Sequence, residues 1–208
     1  MLNLELTEEQ KMLRQKIRAF VDEYVIPNDL NYDETKEFPT EVVEAAGKIG
    51  ILDFSVPKEF GGPGYDTLST CIISEELGRG DVTMSTTLGG NGLAAYPVLY
   101  GGNDEQKKKY FQYLLDQKLT AFALTEPGAG SDAGAVQTTA VLDGDEYVLN
   151  GTKTFCTNGG YASVFTLIAS TDPSIGAKGL SGFILEADRE GITIGKKEDK
   201  MGLRASNT

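Results

Sequence analysis

Up to Lys118 the apolar residues recur every three or four places, and beyond it they fall into short runs broken by Gly, Asn and Asp. The first periodic stretch opens with Thr7-Glu8-Glu9-Gln10, a capping box, and continues through Leu13, Ile17, Phe20, Val21 and Tyr24 until Pro27 ends the helix. A second, with Val42, Val43, Ala46 and Ile49, stops at Gly50. The Gly- and Pro-rich segment 57–64 separates it from a third helix, capped by Asp66 and running through Leu68, Ile72 and Leu77 towards Gly80. Positions 82–100 are mostly apolar, which predicts a helix buried on most sides. Asn103-Asp104-Glu105-Gln106 starts a fifth helix, with Lys107, Lys108 and Lys109 on one face and Tyr110, Phe111, Leu114 and Leu115 on the other.

The later runs, at 138–142, 147–149, 153–156, 164–170 and 182–186, predict strands. Asp143-Gly144 and Asn150-Gly151 suit tight turns, and Asn158-Gly159-Gly160 marks a further reversal, so the expected sheet is antiparallel. The pattern divides the chain into an all-α domain at 1–118 and a β domain at 119–208. The second is expected to be incomplete at its C-terminal end, because a sheet cut at Thr208 leaves an open edge.

Composition removes several function classes. With 40% hydrophobic residues the chain can bury a real core, and no apolar run approaches the roughly 20 residues of a membrane-spanning helix. The opening residues 1–6 carry neither a basic segment nor a long apolar one, so a cytoplasmic location is expected. A net charge of −12 repels phosphate backbones and argues against nucleic acid. The absence of histidine removes imidazole bases, Ser-His triads and the commonest metal ligand. Cys71 and Cys156 form no C-x-x-C pair and are expected to be small buried residues, so no metal site is expected.

The densest cluster of candidate chemistry is 123–135, where three glycines among small residues let the backbone approach a ligand closely. Taken alone, a Gly-rich string of this kind reads as a surface loop at least as readily as a ligand cradle. Its members, Leu124-Thr125-Glu126-Pro127-x-x-Gly130-Ser131-Asp132, resemble the first signature motif of the acyl-CoA dehydrogenases at every defined position. The resemblance extends to Lys153-Thr154-Phe155-Cys156-Thr157-Asn158-Gly159-Gly160, to Lys200-Met201-Gly202-Leu203-Arg204-Ala205-Ser206 and to the loop Glu59-Phe60-Gly61-Gly62, and it covers the whole chain.

That resemblance implies a helical N-terminal domain followed by a β-barrel-like middle domain, with FAD as the cofactor. It puts Phe122, Ala123, Leu124 and Thr125 along the isoalloxazine ring, and Gly130 and Ser131 near the flavin phosphates and the CoA thioester, where Ser131 can bind either ligand. Phe155, Cys156 and Thr157 are implied to stand against the flavin. Phe155 and Thr157, two apart on an expected strand, would share a face. Many relatives carry Trp where this chain has Phe155, which keeps an aromatic wall and loses an indole N–H. Gly89, Gly90, Leu93 and Ala94 are candidates for the wall of the acyl pocket. Glu126 is read as scaffold, and Glu75 and Glu76 as a solvated or ion-paired face.

The implied reaction is oxidation of an acyl-CoA to its 2-enoyl form, with electrons passed to an electron-transfer flavoprotein. The similarity of 195–200 to short-chain members points to butyryl-CoA-like substrates. The family's base is a glutamate of a C-terminal helical domain, which this chain is expected to lack; no residue here receives a catalytic role. That domain also completes the FAD site and builds a homotetramer in relatives. Two other readings stay open, a non-catalytic flavin or CoA binding module and an acyl-CoA oxidase.

Overall fold

The computed structural model describes residues 5–208. The Thr7 hydroxyl accepts from Gln10 N–H at 3.2 Å and Gln10 Oε1 accepts from Thr7 N–H at 3.1 Å, so the capping box forms and starts α1, Glu8–Phe20. One wide π turn, Val21–Val25, carries the chain towards Pro27, and α2, Asp29–Thr35, follows, a helix the apolar pattern does not announce. Next come α3, Thr40–Lys48, and α4, Thr67–Gly80, whose cap Asp66 accepts from Ser69 N–H at 2.7 Å. The last two are α5, Val82–Gly101, and α6, Asp104–Leu115, the latter opened by the Asn103–Gln106 box.

Ile17, Phe20, Val21, Val43, Ala46, Leu77, Met84 and Leu88 join α1, the π turn, α3, α4 and the start of α5 into one apolar core, against which Tyr32 of α2 packs. Helix α5 is buried along much of its length, yet Leu93, Tyr96 and Tyr100 form an exposed stripe on one side of it. Glu76 is 2% exposed and takes Arg18, Arg79 and Arg14 as partners, while Glu75 stays at the surface with Arg14. Cys71 is exposed and Cys156 only half-buried, which corrects the expectation that both are buried. No helix among the described residues is long and apolar enough to cross a membrane.

The sheet contains β1, Thr120–Ala123; β2, Thr139–Asp143; β3, Glu146–Asn150; β4, Val164–Ser170; and β5, Leu180–Glu186. Two pairings are antiparallel as expected: the β2–β3 hairpin turning at Gly144, whose φ is 65°, and β4–β5. The others are parallel, with β1 against the first half of β4 (Thr120↔Val164 to Ala123↔Leu167) and β2 meeting its end (Thr139↔Ser170). The sheet is therefore mixed and, among the described residues, not closed, in place of the expected antiparallel barrel. The local turns were readable, but β1 reaches β4 across forty residues, and a pairing of that range leaves no periodic trace in sequence.

The sheet is seated on the helices. Val164 packs with Ala94, Ala95, Val98, Tyr110 and Phe111 of α5 and α6, and Thr166 Oγ1 donates to the Ala94 carbonyl at 2.7 Å. Lys109 of α6 pairs with Glu186 at the end of β5.

Candidate functional site

The expected strand at 153–156 does not form; its bonds to the neighbouring segment are made largely by side chains. Cys156 Sγ donates to the Phe122 carbonyl at 3.2 Å, Lys153 Nζ to the Leu124 carbonyl at 3.0 Å, and Thr154 N–H to the Thr125 carbonyl at 2.8 Å. Phe155 sits at φ 54°, a left-handed conformation a strand does not contain. Phe155 and Thr157 therefore do not share a strand face as expected, because Phe155 lies outside a strand and Thr157 begins a turn. The two side chains nevertheless come together, for a different reason: the left-handed residue and the turn swing both towards one cavity.

That cavity, of about 110 Å³, is lined by Phe122, Leu124, Thr125, Phe155 and Thr157 together with Gly90 and Leu93 of α5. Ala123 and Cys156, which alternate with lining residues, pack instead into the small apolar cluster of Ala121, Ala162 and Phe165, so only their backbones are left for a ligand. Gly130 and Ser131 are exposed outside the lining, and a Cβ on Gly128 or Gly130 would meet nothing within 4 Å. Gly89 is likewise open, whereas Ala94 is fully buried against the sheet and away from the cavity. A larger groove of about 660 Å³, lined by Phe54, Tyr65, Tyr96 and Tyr100 among others, shares none of the motif residues at 122–131 and 155–157.

The lining is chemically two-sided. Phe122, Leu124, Leu93 and a 65%-exposed Phe155 offer apolar surface, while the hydroxyls of Thr125 and Thr157 and the Thr125 N–H have no protein partner among the described residues. A flat heteroaromatic ring with one polar edge fits that set, since an apolar ring face wants contact and its edge wants donors.

Behind the lining lies a network that the sequence signalled only as scaffold. Glu126, 6% exposed, accepts from Lys153 Nζ at 2.6 Å, from Thr138 Oγ1 at 2.5 Å, and from the N–H groups of Gln137 and Thr138 at 2.7 and 3.0 Å. Burial alone would raise the Glu126 carboxyl, but Lys153, the Thr138 hydroxyl and the two N–H groups outweigh it and hold the group down at about 2. A carboxylate so firmly ionised and fully occupied is a poor proton acceptor, in keeping with the scaffold reading. Burial lifts the Cys156 thiol to about 11, against a smaller opposing effect of Lys153, so it is not a nucleophile at neutral pH.

Asn158, also missed as a functional position, ties this site to the helices. It is fully buried at φ 67°, and its Nδ2 donates to the carbonyls of Thr87 on α5 and Thr120 on β1 at 2.8 and 3.3 Å. The Asn-Gly-Gly sequence signalled the turn but not this side-chain role.

Known proteins share this architecture. The family model "Acyl-CoA dehydrogenase, N-terminal domain" matches residues 7–118, and "Acyl-CoA dehydrogenase, middle domain" matches 121–208. A short-chain specific acyl-CoA dehydrogenase of Clostridium acetobutylicum is 44% identical over 100% of this chain and 55% of its own. Among solved structures, butyryl-CoA dehydrogenase from Megasphaera elsdenii superposes with a TM-score of 0.93 at 36% identity, over 99% of this chain and 55% of that one. An acyl-CoA dehydrogenase complexed with FAD from Bacillus anthracis gives 0.88 at 38% identity, over 100% of this chain and 35% of that one. The chain thus spans little more than half the length of the curated relatives it matches.

Proposed function

The chain belongs to the acyl-CoA dehydrogenase family, and on that premise we propose that the full-length protein is an FAD-dependent acyl-CoA dehydrogenase acting on short acyl chains. The observation that carries the reading is the meeting of Phe122, Leu124, Thr125, Phe155 and Thr157, from two motifs some thirty residues apart, around one two-sided cavity. Support for the chain length is the 44% identity to a short-chain specific relative.

Bound FAD supplies the two-electron acceptor for α,β-dehydrogenation of the thioester. Within this chain Thr125 offers its N–H and hydroxyl to the ring's polar edge, and Thr157 offers a second hydroxyl. Phe155 and Phe122 cover apolar ring surface and keep water from it. Ala123 and Cys156 contribute backbone alone. Gly130 and Ser131, exposed outside the cavity lining, serve the phosphates and the CoA portion, with the free Ser131 hydroxyl available to either ligand. Gly89, Gly90 and Leu93 bound the acyl side. The chain provides binding and orientation; proton abstraction from the substrate is assigned to a carboxylate outside it.

The remaining elements of the proposal are a division at 118/119, a β-barrel-like middle domain, electron-transfer flavoprotein as the acceptor, a homotetrameric assembly and a cytoplasmic location. The test is the visible spectrum of the purified full-length protein. A yellow protein that bleaches anaerobically with butyryl-CoA is expected; a protein that stays colourless after incubation with FAD refutes the reading.

A further inference from the structure

The buried Glu126–Lys153 pair stands immediately behind the cavity, and its geometry reaches the lining through one peptide. Lys153, whose side chain is 9% exposed, donates both to Glu126 Oε1 at 2.6 Å and to the Leu124 carbonyl at 3.0 Å. In a planar trans peptide the carbonyl and the following N–H point in opposite directions. Holding the Leu124 oxygen on the buried side therefore aims the Thr125 N–H away from the pair, and Leu124 and Thr125 both line the cavity. The next peptide is fixed too, because the Thr125 carbonyl accepts from Thr154 N–H at 2.8 Å. Thr125 is clamped on both sides by the segment that carries Phe155 and Thr157. An ammonium on the Leu124 oxygen also polarises that amide and strengthens its N–H as a donor.

We propose that Lys153 and Glu126 are positioning residues for the flavin: Lys153 orients and polarises the Leu124–Thr125 peptide so that its N–H favours the reduced, more electron-rich cofactor, and Glu126 holds Lys153 in place. This rests on the flavin reading above. Glu126 fixes the ammonium while itself being fixed by the backbone of Gln137 and Thr138, so the donor is set before any ligand arrives. Neither residue lines the cavity. Their influence on the cofactor is carried by the peptide between them and it.

The test uses the full-length protein and reads the relative affinity for reduced and oxidised FAD by redox-dye equilibration, beside FAD stoichiometry. K153M is expected to keep its FAD but to prefer the reduced form about tenfold less, a midpoint about 30 mV more negative for a two-electron couple. K153R, which restores charge and donors, should return to within about twofold of the unmodified protein. The double variant E126Q/K153M removes both charges, so a shift seen there comes from lost orientation and not from an unpaired Glu126 carboxylate; about half the K153M effect on the logarithmic scale is expected. An unchanged preference in K153M and in the double variant overturns the proposal. Failure of both to fold assigns the pair to stability alone and also overturns it. An unmodified protein that takes up no flavin at all removes the premise instead.

Discussion

Adjacent glycines in the middle of α5 should respond to the same substitution with opposite signs. A helix-interior Gly→Ala change gains about 0.5–1 kcal/mol from reduced backbone freedom in the unfolded chain. At Gly89 nothing lies within 4 Å of the added Cβ, so Gly89→Ala keeps that gain whole. At Gly90 the Cβ would sit 2.8 Å from Asn158 Nδ2 and 3.4 Å from Thr157 Cγ2. Asn158 is fully buried and its Nδ2 is already bonded to two carbonyls, so it cannot retreat without loosening them. Overpacking costs about 1–3 kcal/mol and a weakened hydrogen bond about 1 more, which exceeds the propensity gain. The expected outcome is Gly89→Ala more stable by about 0.5–1 kcal/mol and Gly90→Ala less stable by roughly 1–3. Urea unfolding of the 208-residue chain, followed by ellipticity, reads both as midpoint shifts with unchanged slope. Two shifts of the same sign would refute the claim that Gly90 is required by the approach of the 157–158 turn.

Other outcomes follow from the same geometry. Asn158→Ala should destabilise by about 3 kcal/mol in urea unfolding, from two lost bonds and because Ala tolerates the left-handed region less well than Asn, and Asn158→Gly by about 1 less, since glycine carries no Cβ to strain there. Phe155→Ala should weaken FAD binding about tenfold, read by quenching of free FAD fluorescence, with apo stability changed by less than about 0.5 kcal/mol because the ring is exposed. Glu126, held at about 2 against an ordinary 4.5, contributes stability in full above pH 4.5 that is lost as pH falls through about 2, on the order of 3 kcal/mol. Glu126→Gln should lack that acid slope in a pH series of unfolding midpoints; a slope equal to that of the unmodified chain would count against the buried pair.

Helix starts were legible because capping is local: Thr7, Asp66 and Asn103 each bond a backbone N–H within three residues, as their sequence context implies. β4 was legible at both ends because its run of buried residues is bounded by turn signals. α2 was not, since it is seven residues long and its Asn28 makes no side-chain cap bond. The segment 153–156 has strand-like composition and misled for a physical reason. Lys153 and Cys156 spend their side chains on the carbonyls that a ladder would have taken, and Phe155 turns left-handed between them. Of the candidate site, the motif residues could be named, but which of them face the cavity could not. Ala123 and Cys156 turn inward because they share a small apolar cluster, a fact of packing that no single stretch of sequence contains.

The position of the cavity follows from where regular pairing stops. The ladder between β1 and β4 ends at Ala123 with Leu167, so from Leu124 onward the backbone no longer exchanges bonds with β4. A strand paired on both edges spends its N–H groups on its neighbours and has none for a ligand. Here the carbonyls of Leu124 and Thr125 are instead taken from one side by Lys153 and Thr154, which leaves the Thr125 N–H and hydroxyl free while the chain between them stays fixed. Rigidity without full pairing is what a preorganised polar edge requires. The fold achieves it by replacing a strand's backbone bonds with the side chains of Lys153 and Cys156, in the one stretch where the sequence pattern predicted a strand and none forms.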